Sequence, residues 1–86
     1  MDANLQVARN AKQLATAIKR FRRSLKLTQE QVGESAGIPQ TTVSKVEVGL
    51  VDPTLTTCFR ILAALDLELV IRPRARSAEI YKREKD

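Results

Sequence analysis

Apolar residues recur at helical spacing through most of this chain and then alternate briefly near its end. Leu14, Ala17, Ile18, Phe21 and Leu25 predict a first helix from about 11 to 25. Asn10, with Gln13 three residues on, has a capping-box pattern at its start. Thr28 and Gln31 repeat that pattern and open a second helix, with Leu27 and Val32 in the positions of a hydrophobic staple. Pro39 suits the first turn of a third helix, which Gly49 ends. Either Asp52 or Thr54 caps a fourth helix reaching about Leu65, with Leu55, Cys58, Phe59, Leu62 and Leu65 on its inner side. Residues 67–72, LELVIR, then alternate at Leu67, Leu69 and Ile71, with Val70 breaking the polar face. They read as a short strand ending at Pro73; the alternative is that they prolong the fourth helix.

The segment from Thr28 to Gly49, TQEQVGESAGIPQTTVSKVEVG, carries more than two helices. Counting from Gln29, Gly33 is fifth, Gly37 ninth, Val43 fifteenth and Val46 eighteenth, the register a helix-turn-helix requires. The fifth residue lies where the helices cross and has to be small. A glycine there costs a helix roughly 1 kcal/mol relative to alanine, so its presence implies a close approach. The ninth opens the turn in a left-handed conformation, which glycine adopts without a Cβ clash. Val43 and Val46 point inward, leaving Gln40, Thr41, Thr42, Ser44 and Lys45 on the outer side, shaped for a DNA major groove. Reading the chain as two packed helices of an ordinary bundle leaves this register unexplained.

Charge sharpens that reading. The net +5 divides into +6 over residues 1–27, −4 over 28–71 and +3 over 72–86. The base-reading unit is therefore not itself basic, and attraction to phosphate has to come mainly from the first helix and the tail. That helix carries Lys12, Lys19, Arg20 and Arg23 opposite its apolar stripe, preceded by Arg9. A basic first helix also suits a membrane surface or a protein partner, but neither explains Gly33, Gly37, Val43 and Val46 in register. The chain has no histidine and one cysteine, Cys58, so metal sites, disulfide frameworks and histidine-based catalysis are not expected within one chain, nor is any cofactor or enzymatic activity. Cys58 reads as a small core hydrophobe, and a lone thiol suits a reducing cytoplasm, with the protein on the nucleoid when bound to DNA. No apolar run approaches 18 residues and no signal-peptide pattern is present, so no membrane association is expected.

The fold class expected is mainly α: a small bundle of four to five helices spanning residues 10–66, with a flexible arm at 1–9. The strand at 67–73 follows, and a charged disordered tail at 74–86, RARSAEIYKREKD, too poor in apolar residues for a core. Such a strand has nothing to pair with inside one small domain. Pairing with the same strand of a second copy, through Leu67, Leu69, Val70 and Ile71, makes a homodimer on a two-fold axis. In the groove, Gln40 can give two hydrogen bonds to an adenine, Thr41 and Thr42 a hydroxyl or methyl to a base edge, and Lys45 a bond to guanine or phosphate. Ser44 lies at the rim, and Lys12 and Lys19 are candidates for the DNA backbone.

Together with the lead-in IKRFRRSLKLTQ, the Thr28–Gly49 segment resembles the Xre family, the lambda-repressor-like helix-turn-helix proteins. The resemblance implies that Arg22 pairs with Glu47 as a structural lock and that Gln29 binds a backbone phosphate. Lys26 departs from the family's usual glycine, and Asp66 stands where relatives often have one. The later stretch TLTTCFRILAALDLELVIRPR resembles the HipB group of antitoxins within that family. That likeness covers about residues 11–73. It implies a dimer that binds an inverted-repeat operator in double-stranded DNA, represses its own operon and binds a HipA-like kinase toxin. The alternative is a stand-alone Xre-family regulator or a HigA-type antitoxin.

Overall fold

The computed structural model describes residues 5–74 and Ile80. Residues 5–74 hold four helices: α1 (Ala11–Ser24), α2 (Gln29–Ala36), α3 (Gln40–Glu47) and α4 (Leu55–Ala64). None of the described helices is long and apolar enough to cross a membrane. Their inner faces meet around Ile18, Val32, Val43, Val46, Ile61 and Leu65, an aliphatic core with Leu14, Leu27, Ile38, Ala64 and Leu67 packed around it. Each such side chain removed from water stabilises the fold by about 1.5–3 kcal/mol.

The starts of the helices are set by side-chain caps. Asn10 accepts the Gln13 amide at 2.8 Å, but the Gln13 side chain accepts from Arg9 rather than from Asn10, so the reciprocal bond lands one residue early. Thr28 and Gln31 form the complete box. Thr54, not Asp52, caps α4 by accepting the Thr57 amide. Pro39 is the residue before α3 rather than its first residue, with φ −63° and ψ 147° and no side-chain cap. All four helices stop in the same way, at a left-handed residue: Lys26, Gly37, Gly49 and Asp66. In each case the following amide reaches back five residues, from Leu27 to Arg22, Ile38 to Gly33, Leu50 to Lys45 and Leu67 to Leu62. For a lysine this conformation costs about 1–2 kcal/mol.

Expectations for α4, Leu25 and the strand shift. On α4 the inner side is Cys58, Ile61, Leu62 and Leu65, while Leu55 is 73% and Phe59 50% exposed. Both sets have helical spacing, so periodicity does not choose between adjacent stripes; packing against α2 turns Ile61 inward. Leu25, the α1 C-cap, is likewise exposed. Residues 67–74 form neither helix nor strand: α4 has already ended at the Asp66 turn, and one chain supplies no second strand against which a ladder can form. Of the expected arm, residues 1–4 lie outside the described residues, whereas Gln6 accepts a bond from Arg20 at 3.0 Å, drawing the arm back over α1. The expected tail lies outside them except for Arg74 and Ile80.

Gly33 sets the angle between α2 and α3. A Cβ there meets the Ile38 carbonyl oxygen at 2.8 Å and the Gln40 nitrogen at 3.3 Å, both backbone atoms that cannot rotate aside. Gly33→Ala is expected to destabilise the domain by about 1–3 kcal/mol, despite alanine's better helix propensity. A urea unfolding midpoint that rises would contradict this close approach.

Candidate nucleic-acid interface

α3 presents one polar side. Val43, Val46 and Glu47 are buried, Gln40, Thr41 and Lys45 are exposed, and Thr42 and Ser44 are half-buried on its flanks. Thr41 and Lys45 are one turn apart, and Val48, 61% exposed at the C-cap, continues the same stripe. Val48 is not among the residues expected there, although its place seven residues after Thr41 is the signal that puts it on this side.

The stripe is aimed from behind by a chain of side-chain bonds. Arg22 on α1 grips Glu47 with two prongs, Nε to Oε2 at 2.6 Å and Nη2 to Oε1 at 3.0 Å. Its third nitrogen, Nη1, donates to the Leu27 carbonyl at 2.8 Å. The guanidinium thus clamps the end of α3 to the turn between α1 and α2. Gln29, at the start of α2, donates its amide to Glu47 Oε1 at 3.1 Å. A carboxylate only accepts, so this bond forces the Gln29 NH2 toward Glu47 and leaves Oε1 facing away. That oxygen meets Nε2 of Gln40 at a long 3.5 Å. Glu47 is thereby buried with every charge partner in place, and no buried side-chain polar atom lacks a bond among the described residues.

The remaining candidates are spread over α1. Lys19 is half-buried mid-helix. Lys12 is exposed at the rim of an open, largely apolar groove of about 540 Å³, which Leu14, Val48, Val51, Pro53 and Cys58 also line. Leu69, Val70 and Ile71 project into solvent, Ile71 at 91% exposure, while Leu67 is half-buried against the core. Cys58 is buried, and desolvation raises its thiol pKa above the ordinary value, which disfavours the reactive thiolate. Among the described residues no group of acids and cysteine is arranged to hold a metal ion.

Comparison with known proteins places this arrangement. The helix-turn-helix family HTH_3 matches residues 18–71. Antitoxin HipB of Escherichia coli (strain K12) is 39% identical over 59 residues, 69% of this chain and 67% of that protein. Among solved structures, a HipB–O4 20mer complex superposes with a TM-score of 0.75 at 35% identity, over 80% of this chain and 97% of that one. A HipA–HipB–O2–O3 complex gives 0.74 at the same identity and coverage.

The ion pair makes the sharpest stability prediction. Glu47→Ala leaves the Arg22 guanidinium without its carboxylate and is expected to cost about 3–5 kcal/mol, a large part of a small domain's stability. Gln29→Ala, which leaves both Arg22 prongs intact, is expected to cost only about 1 kcal/mol. Equal losses in denaturant titrations would contradict this division of labour.

Proposed function

Because this chain belongs to the helix-turn-helix family, and within it to the HipB-like branch, we propose that it is a repressor that doubles as the antitoxin of a HipBA-type pair. In this reading it shuts off its own operon and neutralises a HipA-like Ser/Thr kinase toxin. That it is a DNA-binding regulator follows from the family; the operator contacts and the toxin are the proposal.

The observation that carries the DNA half is the exposed polar side of α3, backed by the Arg22–Glu47–Gln29–Gln40 chain. Gln40 enters the major groove first. With one Nε2 hydrogen turned to Gln29, the other donates to adenine N7 and Oε1 accepts from N6. Thr41 and Lys45 read the next bases on the same stripe. Thr42, half-buried, offers only its edge, and Val48 adds an apolar surface suited to a thymine methyl. Gln29, Ser44, Lys19 and Lys12 supply backbone contacts, which strengthen binding to every sequence alike.

Two half-sites need two subunits. The exposure of Leu69, Val70 and Ile71 supports a dimer in which residues 67–73 of two copies pair as antiparallel strands. Leu55 and Phe59, left outward on α4, add apolar surface for the same union. The antitoxin half is supported by the identity to HipB and by the likeness to a chain of the HipA–HipB–O2–O3 complex.

Two measurements separate these halves. Gln40→Ala combined with Lys45→Ala is expected to abolish sequence-specific binding while the dimer persists by analytical ultracentrifugation; unchanged operator affinity removes α3 from the role. Tagged chain purified from its own cells is expected to carry a kinase-like protein in stoichiometric amount. A dimer that elutes alone, with the neighbouring gene demonstrably expressed, points to a stand-alone regulator instead.

A further inference from the structure

Among the described residues, two other than glycine hold a positive φ, Lys26 at 59° and Asp66 at 57°. Asp66 has a short polar side chain that suits this conformation by bonding locally. Lys26 has no such device. Its side chain is exposed and makes no hydrogen bond or salt bridge among the described residues, so the conformation is met only by the backbone bonds that close α1, which a glycine would make without strain. A strained lysine in a turn that glycine serves without cost points to a function for its side chain.

The place of Lys26 indicates which. It stands at the corner between α1 and α2, one residue before Leu27, whose carbonyl the Arg22 guanidinium holds. Three residues on is Gln29, which touches both Glu47 and Gln40. The corner is thus tied to the same clamp that aims α3. The surrounding charge is unfavourable to DNA: from Thr28 to Glu47 the chain carries Glu30, Glu34 and Glu47 against Lys45 alone. Arg22 is consumed by Glu47. Lys26 is therefore the cation closest in sequence before α2 that makes no side-chain bond among the described residues.

We propose that Lys26 is a DNA-backbone contact, its ammonium bound to a phosphate beside the groove that α3 enters. This rests on the DNA-binding reading and adds to it a residue that trades stability for phosphate attraction. A lysine in this position gives charge and strain together, so the two separate experimentally.

The test compares Lys26→Gln, which removes the charge and keeps a side chain, with Lys26→Gly, which removes both charge and strain. Binding is followed by fluorescence anisotropy over a salt series, on duplexes of about 30 base pairs, one of arbitrary sequence and one selected from a random pool. Both variants are expected to weaken binding to both duplexes several-fold at low salt. The slope of log K against log salt should fall by about one per subunit. Lys26→Gly is expected at the same time to raise the Tm by roughly 2–5 °C. Affinity and slope that stay at the wild-type values in Lys26→Gln overturn the proposal while leaving DNA binding intact. Wild-type protein that binds neither duplex overturns the DNA reading, and this proposal with it.

Discussion

The ion pair between Arg22 and Glu47 is the constraint on which the rest of the geometry depends. It joins residues 25 apart in sequence, closes α1 over the end of α3, and through Nη1 also fixes the turn that leads into α2. A buried carboxylate is costly unless both of its oxygens find donors. Here two come from Arg22 and one from Gln29, so satisfying Glu47 simultaneously sets the position of the α2 N-terminus relative to α3. Replacing such a pair by apolar residues can leave stability unchanged, so its value here lies in orientation. The polar side of α3 is held at a fixed angle by a network that reaches the proposed reading surface only through Gln40.

Short connections leave little slack around that lock. Each helix ends at a left-handed residue that reverses the chain within a few positions, and Gly33 lets the α2–α3 turn come within van der Waals range of the α2 backbone. Glycine relieves the backbone at two of the four ends. At the other two, Asp66 tolerates the conformation and Lys26 endures it. The family assignment makes sense of the economy, since a small domain with six fully buried aliphatic side chains gains precision from turns and one buried pair rather than from a large core.

The parts legible from sequence were those fixed by neighbours in the chain. Thr28 with Gln31, the left-handed Gly37 and Gly49, and the inward Val43 and Val46 depend on residues within a turn or two. Rotation of α4 did not, because Leu55, Phe59 and Ile61 are all apolar and only packing against α2 decides which turns in. The Gln29 bond to Glu47 was hidden for a similar reason, since nothing near Gln29 in sequence points to a carboxylate 18 positions away. The segment 67–73 forms no strand in one protomer, where a ladder has no second partner.

Within the site, exposure separates Gln40, Thr41 and Lys45 from the half-buried Thr42 and Ser44, and adds Val48 to the outer stripe. Two such stripes related by a two-fold axis form the proposed reading surface, so the bound DNA should reveal the symmetry. Selection of full-length protein against a pool of random duplexes, followed by sequencing of the bound fraction, tests this most directly. Enrichment of an inverted repeat is expected, its half-site centres about one helical turn, or a whole multiple of it, apart. A bound fraction with no enriched sequence, or a single asymmetric motif, would contradict it.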